Sequence, residues 1–175
     1  MRHAGSMALC IDKITGSRER NPMGNCLKVG ILGAGNIAGS MAEALNELQK
    51  EGKACAYAVA SRSQEKALEF ARKWNITRAY SSYEELASDP EVDLIYIATP
   101  HSLHYEQAKL CMEHGKNVLV EKAFTANARQ AEELFAMAEE KKVFITEAIW
   151  TRYMPSREII TGLLREGVIG TPQIL

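Results

Sequence analysis

The sequence predicts an α/β protein built on a doubly wound parallel sheet, and three observations carry that prediction. Short apolar runs alternate with segments of helical period, the order of repeated β-α units. The runs are apolar throughout, as strands covered by helices on both faces are. The first run leads straight into a glycine-bearing turn and then a helix, "LKVGILGAGNIAGSMAEAL".

The elements follow in order. Strands are expected at Leu27–Leu32, Ala54–Ala60, Leu94–Ala98, Asn117–Val120 and Val143–Thr146, with a weaker one near Ala79. Each is four to seven residues long, which suits a strand and is too short for a buried helix. Helices are expected at Ile37–Glu51, Gln64–Trp74, Tyr83–Ser88, Leu103–His114 and Ala128–Lys141. Two carry start signals: Ser81 with Glu84, and Asn127 with Gln130, each placed to cap exposed N–H groups. A sixth helix, "PSREIITGLLREG", opens at Pro155 and stops at Gly167, and "GTPQIL" reads as the start of another strand. Residues 1–26 are polar, lack the apolar core of a signal peptide, and read as an extension outside the fold.

Composition narrows the function. In 175 residues, 46% hydrophobic and 25% charged, there is room for one sizeable core and not for two. A net charge of −1 with mixed signs provides no field that would gather nucleic acid or anionic lipid, so small-molecule partners are expected. No run approaches the roughly 18 apolar residues of a membrane-spanning helix. Cys10, Cys26, Cys55 and Cys111 are scattered, without C-x-x-C or zinc-ligand spacing, which points to reduced thiols in the cytoplasm and to no metal site.

At the first strand-to-helix turn the sequence reads Gly33-x-Gly35-x-x-Ala38. Gly33 permits the tight turn, Gly35 lets backbone approach a pyrophosphate, and Ala38 keeps the helix close to the sheet. Asn36 and Ile37 then begin the helix, whose outward N–H groups suit phosphate. The second strand bears on which dinucleotide. An NAD site usually carries an acid about 20 residues past the glycines to hold the ribose hydroxyls. Here Ser61 and Arg62 stand at the strand end and no acid appears until Glu65. A guanidinium beside a hydroxyl suits a 2′-phosphate, favouring NADP over NAD. The alternative for Arg62 is an exposed arginine opening a helix.

In a doubly wound sheet, ligands lie outside the carboxyl ends of the strands. Gly33–Gly35, Ser61 with Arg62, "ATPHSLH" from Ala98, Glu121 with Lys122, and Glu147 through Trp150 therefore belong to one rim. On it, Lys122 is the catalytic candidate, placed to stabilise negative charge on a reacting oxygen and to touch the nicotinamide ribose, while Glu121 holds ribose hydroxyls or orients the lysine. The competing reading of that pair is a solvated ion pair closing a strand.

The stretches "VGILGAGNIA", "YSSYEELASDPEVDLIYIATPHSLHYEQAKLCMEHGKNVLVEKAFT" and "EAIWTRYMP" resemble the glucose-fructose oxidoreductase and inositol dehydrogenase family of NAD(P)-dependent enzymes, the last stretch its dihydrodiol dehydrogenase branch, which uses NADP. The resemblance runs from Leu27 to Leu175. It implies a Rossmann domain over 27–152, then over 153–175 a linker helix and the first strand of a second α/β domain that would close the pocket, supply the acid or base, and form a homo-oligomer interface. On that basis the chain reads as a fragment or a truncated product. It also implies cofactor contacts at Thr99, Pro100, His104, Glu121 and Lys122, a substrate-pocket wall at Trp150, and a sugar, polyol or diol substrate. His104 also reads as an ordinary buried histidine, and Trp150 as a core aromatic. Ala123 stands where the family has proline. A non-catalytic nucleotide-binding module and, further off, an adenosylmethionine-dependent methyltransferase are the competing functional classes.

Overall fold

The structure, a computed structural model, describes residues 26–171. Its strands are β1 (Leu27–Leu32), β2 (Ala54–Ala60), β3 (Arg78–Tyr80), β4 (Leu94–Ile97), β5 (Asn117–Val120) and β6 (Ile145–Glu147). They form one parallel sheet in the order β3-β2-β1-β4-β5-β6. The order reverses between β1 and β4, so the crevice where doubly wound sheets take ligands lies beyond the ends of those two strands.

The helices are α1 (Asn36–Lys50), α2 (Gln64–Trp74), α3 (Tyr83–Ser88), α4 (His104–Glu113), α5 (Ala128–Lys141) and α6 (Pro155–Arg165). They divide the core into two layers. Val29 and Ile31 of β1 pack with Leu45 of α1 and Phe70 of α2, whereas Leu32 packs on the opposite face with Leu86 of α3, Met112 of α4 and Leu134 of α5. Close approach is built in by small residues. A Cβ on Gly39 of α1 would sit 3.2 Å from the Trp74 ring of α2. The β4 run Leu94–Ile97 is buried at every position, as a strand covered on both sides must be.

Some boundaries differ from the sequence reading. The cap of α3 is Ser82, not Ser81: the Ser82 hydroxyl accepts from the Glu85 N–H at 3.1 Å and the Glu85 carboxylate accepts from the Ser82 N–H at 3.1 Å. Two adjacent serines offer the same chemistry, and the helix register selects the second. Ser81 still donates to Glu85. The Asn127 cap of α5 is as expected, its side chain accepting from the Gln130 N–H at 3.0 Å. β6 begins two residues later than expected, because Val143 continues the turn out of α5 through its N–H to the Ala138 carbonyl. The helix after β4 begins at His104, preceded by a 3₁₀ turn over His101–Leu103. The strand expected in "GTPQIL" falls largely outside the described residues, as does the 1–26 extension. Among the described residues no helix is long and apolar enough to cross a membrane.

Candidate cofactor and active site

Backbone hydrogen bonds build the rim. Just past the strands, Gly33 N–H donates to the Ala60 carbonyl, Ser61 to Tyr80, Ala98 to Leu32, Glu121 to Ile97 and Ala148 to Val120, at 2.7 to 3.3 Å. Each departing segment is thereby tied to its neighbour, and residues from five strand ends meet along one edge.

The glycine turn sits at its centre. Gly33 has φ +100°, and a Cβ there would lie 2.9 Å from the Ala98 carbonyl oxygen, so a side chain is excluded by conformation and by contact with the end of β4. Gly35 differs: its φ is −93°, and a Cβ would meet nothing within 4 Å. Gly35 is the N-cap of α1 and offers no side-chain cap, and the first turn of that helix holds no acid. Gly35, Asn36 and Ile37 are exposed and Ala38 is buried. An open, uncapped N-terminus on a fifteen-residue helix is the feature that fits a pyrophosphate, because the unpaired N–H groups and the helix dipole both favour an anion.

A groove of about 460 Å³ runs from this turn between α1 and α2, lined by Gly35, Asn36, Ser40, Lys66 and Trp74 among others. Ser61 and Arg62 follow directly on β2 and are not among the residues that line this groove. Ser61 is half-buried, its hydroxyl accepting from the Ser63 N–H at 3.4 Å, and Arg62 is exposed with no ion-pair partner among the described residues. Ser63 caps α2. Lys66, in the first turn of α2, adds a cation to the groove that sequence reading passed over; its signal was a second basic residue four positions after Arg62.

At the end of β4, Thr99 is buried and its hydroxyl donates to the Gln107 side-chain oxygen. Pro100 is exposed and caps the 3₁₀ turn, and His101, also exposed, meets the His104 ring edge-on at 5.5 Å. His104 is fully buried. Its Nε2 lies 2.9 Å from the Thr99 carbonyl and its Nδ1 2.8 Å from the Ala123 carbonyl. Both ring nitrogens are occupied by backbone, so His104 ties the end of β4 to the segment after β5.

That segment holds the Glu–Lys pair, which is not an ion pair. Buried Tyr96 donates its hydroxyl to Glu121 Oε1 at 2.5 Å, and Glu121 Oε2 accepts the Lys122 backbone N–H at 3.1 Å. Burial, with the Glu121 carboxylate beside it, pushes the Tyr96 hydroxyl well above its ordinary range, keeping it a donor. The Lys122 ammonium is exposed and has no carboxylate or hydrogen-bond partner among the described residues. The Lys122–Ala123 peptide is cis. Tyr96 was missed by sequence reading, although a hydroxyl inside the apolar run "LIYIA" is a signal. Trp150 opens a 3₁₀ turn after β6 and is 51% exposed, so it is not a core aromatic. No group of three His, Cys, Asp or Glu able to hold a metal occurs among the described residues.

A parallel 3-2-1-4-5-6 sheet whose first strand feeds a glycine turn and an uncapped helix defines a dinucleotide-binding Rossmann protein. The chain belongs to the GFO/IDH/MocA family: residues 27–148 match the oxidoreductase family with the NAD-binding Rossmann fold. It is 43% identical over 143 residues to a trans-1,2-dihydrobenzene-1,2-diol dehydrogenase of Xenopus tropicalis, covering 82% of this chain and 43% of that protein. It is 41% identical over 154 residues to the D-xylose 1-dehydrogenase (NADP(+)) of Hypocrea jecorina, covering 83% and 39%. Among solved structures it resembles KijD10, a 3-ketoreductase from Actinomadura kijaniata in complex with TDP-benzene and NADP, with TM-score 0.74, 33% identity and coverage of 83% and 45%. The chain thus spans less than half the length of these relatives.

Proposed function

We propose that the chain is the cofactor-binding part of an NADP-dependent oxidoreductase that moves hydride between the cofactor and a hydroxyl-bearing or carbonyl carbon of a sugar, cyclic polyol or diol. One observation carries the reading: an uncapped helix N-terminus behind Gly35 shares a rim with the exposed ammonium of Lys122, which is unpaired among the described residues. Bound NADP supplies the hydride acceptor or donor. Gly35, Asn36 and Ile37 hold the pyrophosphate through backbone N–H groups. Ser61 and Arg62 take the 2′-phosphate, with the adjoining Lys66 adding charge. Thr99 and Pro100 shape the floor at the end of β4, and His104 supports it from below. Lys122 stabilises charge on the reacting oxygen, and Glu121, engaged by Tyr96 and the Lys122 N–H, orients the lysine backbone. Trp150 lines the substrate side. The activities of the relatives, on a dihydrobenzene diol, on xylose and on a keto substrate, support the substrate class. The free thiols Cys26, Cys55 and Cys111 fit a reducing cytoplasm, and we expect the whole protein to be a homo-oligomer.

Titration of the chain with NADPH and NADH, watched by nicotinamide fluorescence, tests the cofactor assignment. Arg62→Ala is expected to weaken NADPH by about 1.5–3 kcal/mol, the range for a hydrogen bond to a charged group, and to leave NADH nearly unchanged. Equal loss for both would remove Arg62 from 2′-phosphate recognition.

A second reading, a binding module that acts only with further chain or a partner, is favoured by the open substrate side. Trp150 and Ile149 are exposed, and α6 presents Ile159, Ile160 and Leu163 to solvent. Substrate-dependent NADPH formation by these 175 residues alone would exclude it.

A further inference from the structure

Residues 122 to 124 lie between β5 and α5 in no regular element, yet each has a backbone polar group held by a side chain, one from the preceding residue and two from other strand ends of the rim. The Lys122 N–H goes to Glu121 Oε2 at 3.1 Å, itself fixed by Tyr96. The Ala123 carbonyl faces His104 Nδ1 at 2.8 Å. The Phe124 N–H goes to Glu147 Oε1 at 2.8 Å. Glu147 is the final residue of β6 and stands in register with Val120, the last residue of β5. Its own position is braced by Tyr153, whose hydroxyl lies 2.9 Å from Thr146 Oγ1 and 3.4 Å from the Glu147 carbonyl.

We propose that Glu147 is a positioning residue for Lys122: its carboxylate anchors the backbone two residues past the lysine, closing a three-sided clamp with Glu121 and His104. The inference rests on the cofactor reading of the site and extends it. The physical reason is preorganisation. An ammonium on a four-carbon stem stabilises a developing charge only if its Cα is fixed, since otherwise ordering the backbone opposes the interaction at the moment it is needed. A strand-end glutamate facing water would leave the Phe124 N–H to solvent. Here a half-buried carboxylate takes it with a charge-assisted bond, the stronger kind.

The test uses the 175-residue chain and the variants Glu147→Ala and Glu147→Gln. Amide hydrogen exchange by NMR reads the Phe124 N–H, and acetylation of Lys122 by acetic anhydride, followed by peptide mass spectrometry with and without NADPH, reads the side chain. Glu147→Ala is expected to speed Phe124 exchange about tenfold or more, with β1 and β4 amides unchanged, the range for losing a charge-assisted bond. It should also cut the shielding of Lys122 by NADPH at least about threefold while NADPH affinity stays within about threefold, since most affinity comes from the phosphates. Glu147→Gln retains an acceptor oxygen and should restore both readouts. Unchanged Phe124 exchange in Glu147→Ala, or a glutamine variant as impaired as the alanine one, overturns the proposal. If the alanine variant does not fold, Glu147→Asp, whose shorter carboxylate withdraws the acceptor, takes its place with the same expectations. Absence of any NADPH shielding in the unaltered chain would count against the cofactor reading, and the exchange measurement would still decide the clamp.

Discussion

At the amino end of the sheet polar groups are matched to partners, whereas at the carboxyl end several are held open. Before β4, the Asp93 side chain accepts the Lys28 N–H at 2.9 Å and its carbonyl accepts from Asn117 Nδ2 at 3.1 Å. Asn117 Oδ1 in turn accepts the Phe144 N–H at 3.0 Å. Lys116, only 9% exposed, donates to the Asp89 carbonyl at 2.5 Å and the Val92 carbonyl at 2.9 Å. Burial lowers its pKa, and the nearby Asp89 and Asp93 charges oppose that shift. At the other end, Gly35 faces open space, and Arg62 and Lys122 reach solvent without ion-pair partners among the described residues. Two lysines 6 positions apart in sequence thus differ: Lys116 closes the fold, whereas Lys122 reaches solvent.

The contrast can be broken first at the two glycines. Gly33→Ala places a Cβ against a backbone carbonyl at positive φ and should cost about 3 kcal/mol or more of stability, read as a lowered denaturant midpoint. Gly35→Ala should change stability by under about 1 kcal/mol, because its Cβ meets no protein atom, yet weaken NADPH about tenfold or more by filling the space above the helix terminus. If both variants lost stability alike, Gly35 would be structural.

Lys122→Met, in a form long enough to turn over substrate, should lower turnover by about two powers of ten, on the order of 3 kcal/mol of transition-state stabilisation, with NADPH affinity within a few-fold and stability unchanged. Loss of cofactor binding outright would move Lys122 from catalysis to ribose recognition. Lys116→Met should do the reverse. It takes the Lys116 donor from the Val92 carbonyl and one of two donors from the Asp89 carbonyl, which keeps the Val92 N–H at 3.2 Å, costing about 1–2 kcal/mol in chemical denaturation, and should leave NADPH binding intact.

The smallest effect is a pH dependence at Asp89. Burial raises its pKa, but the Tyr80 hydroxyl at 2.7 Å, the Glu91 N–H at 2.9 Å, and the Arg78 and Lys116 charges outweigh that and leave it below its ordinary value. A carboxyl depressed in the folded state adds stability above its unfolded pKa, near 4, and loses it as pH falls through the folded value. The unaltered chain should therefore lose stability on acidification below about pH 4, and Asp89→Asn should flatten that slope. An unchanged slope would show that other carboxylates dominate.

The layers and the glycine turn are legible in the sequence alone. Apolar runs of strand length between helical periods can be buried only by a parallel sheet with helices on both faces. Gly33-x-Gly35 next to such a run can turn only where the first strand ends. Local pattern was enough there because each feature lies within one element and its neighbour. The tertiary structure decided whatever depends on residues distant in sequence. It selected Ser82 over Ser81 as a cap, because helix register is set by packing on the sheet. It gave His104 two carbonyls, from Thr99 and Ala123, that no spacing announces. It separated Glu121 from Lys122, adjacent in sequence and of opposite charge, by engaging the carboxylate with a tyrosine 25 residues away and the lysine's own N–H. Charges adjacent along a chain need not pair, because the fold places better donors within reach of the carboxylate, and that leaves the ammonium exposed.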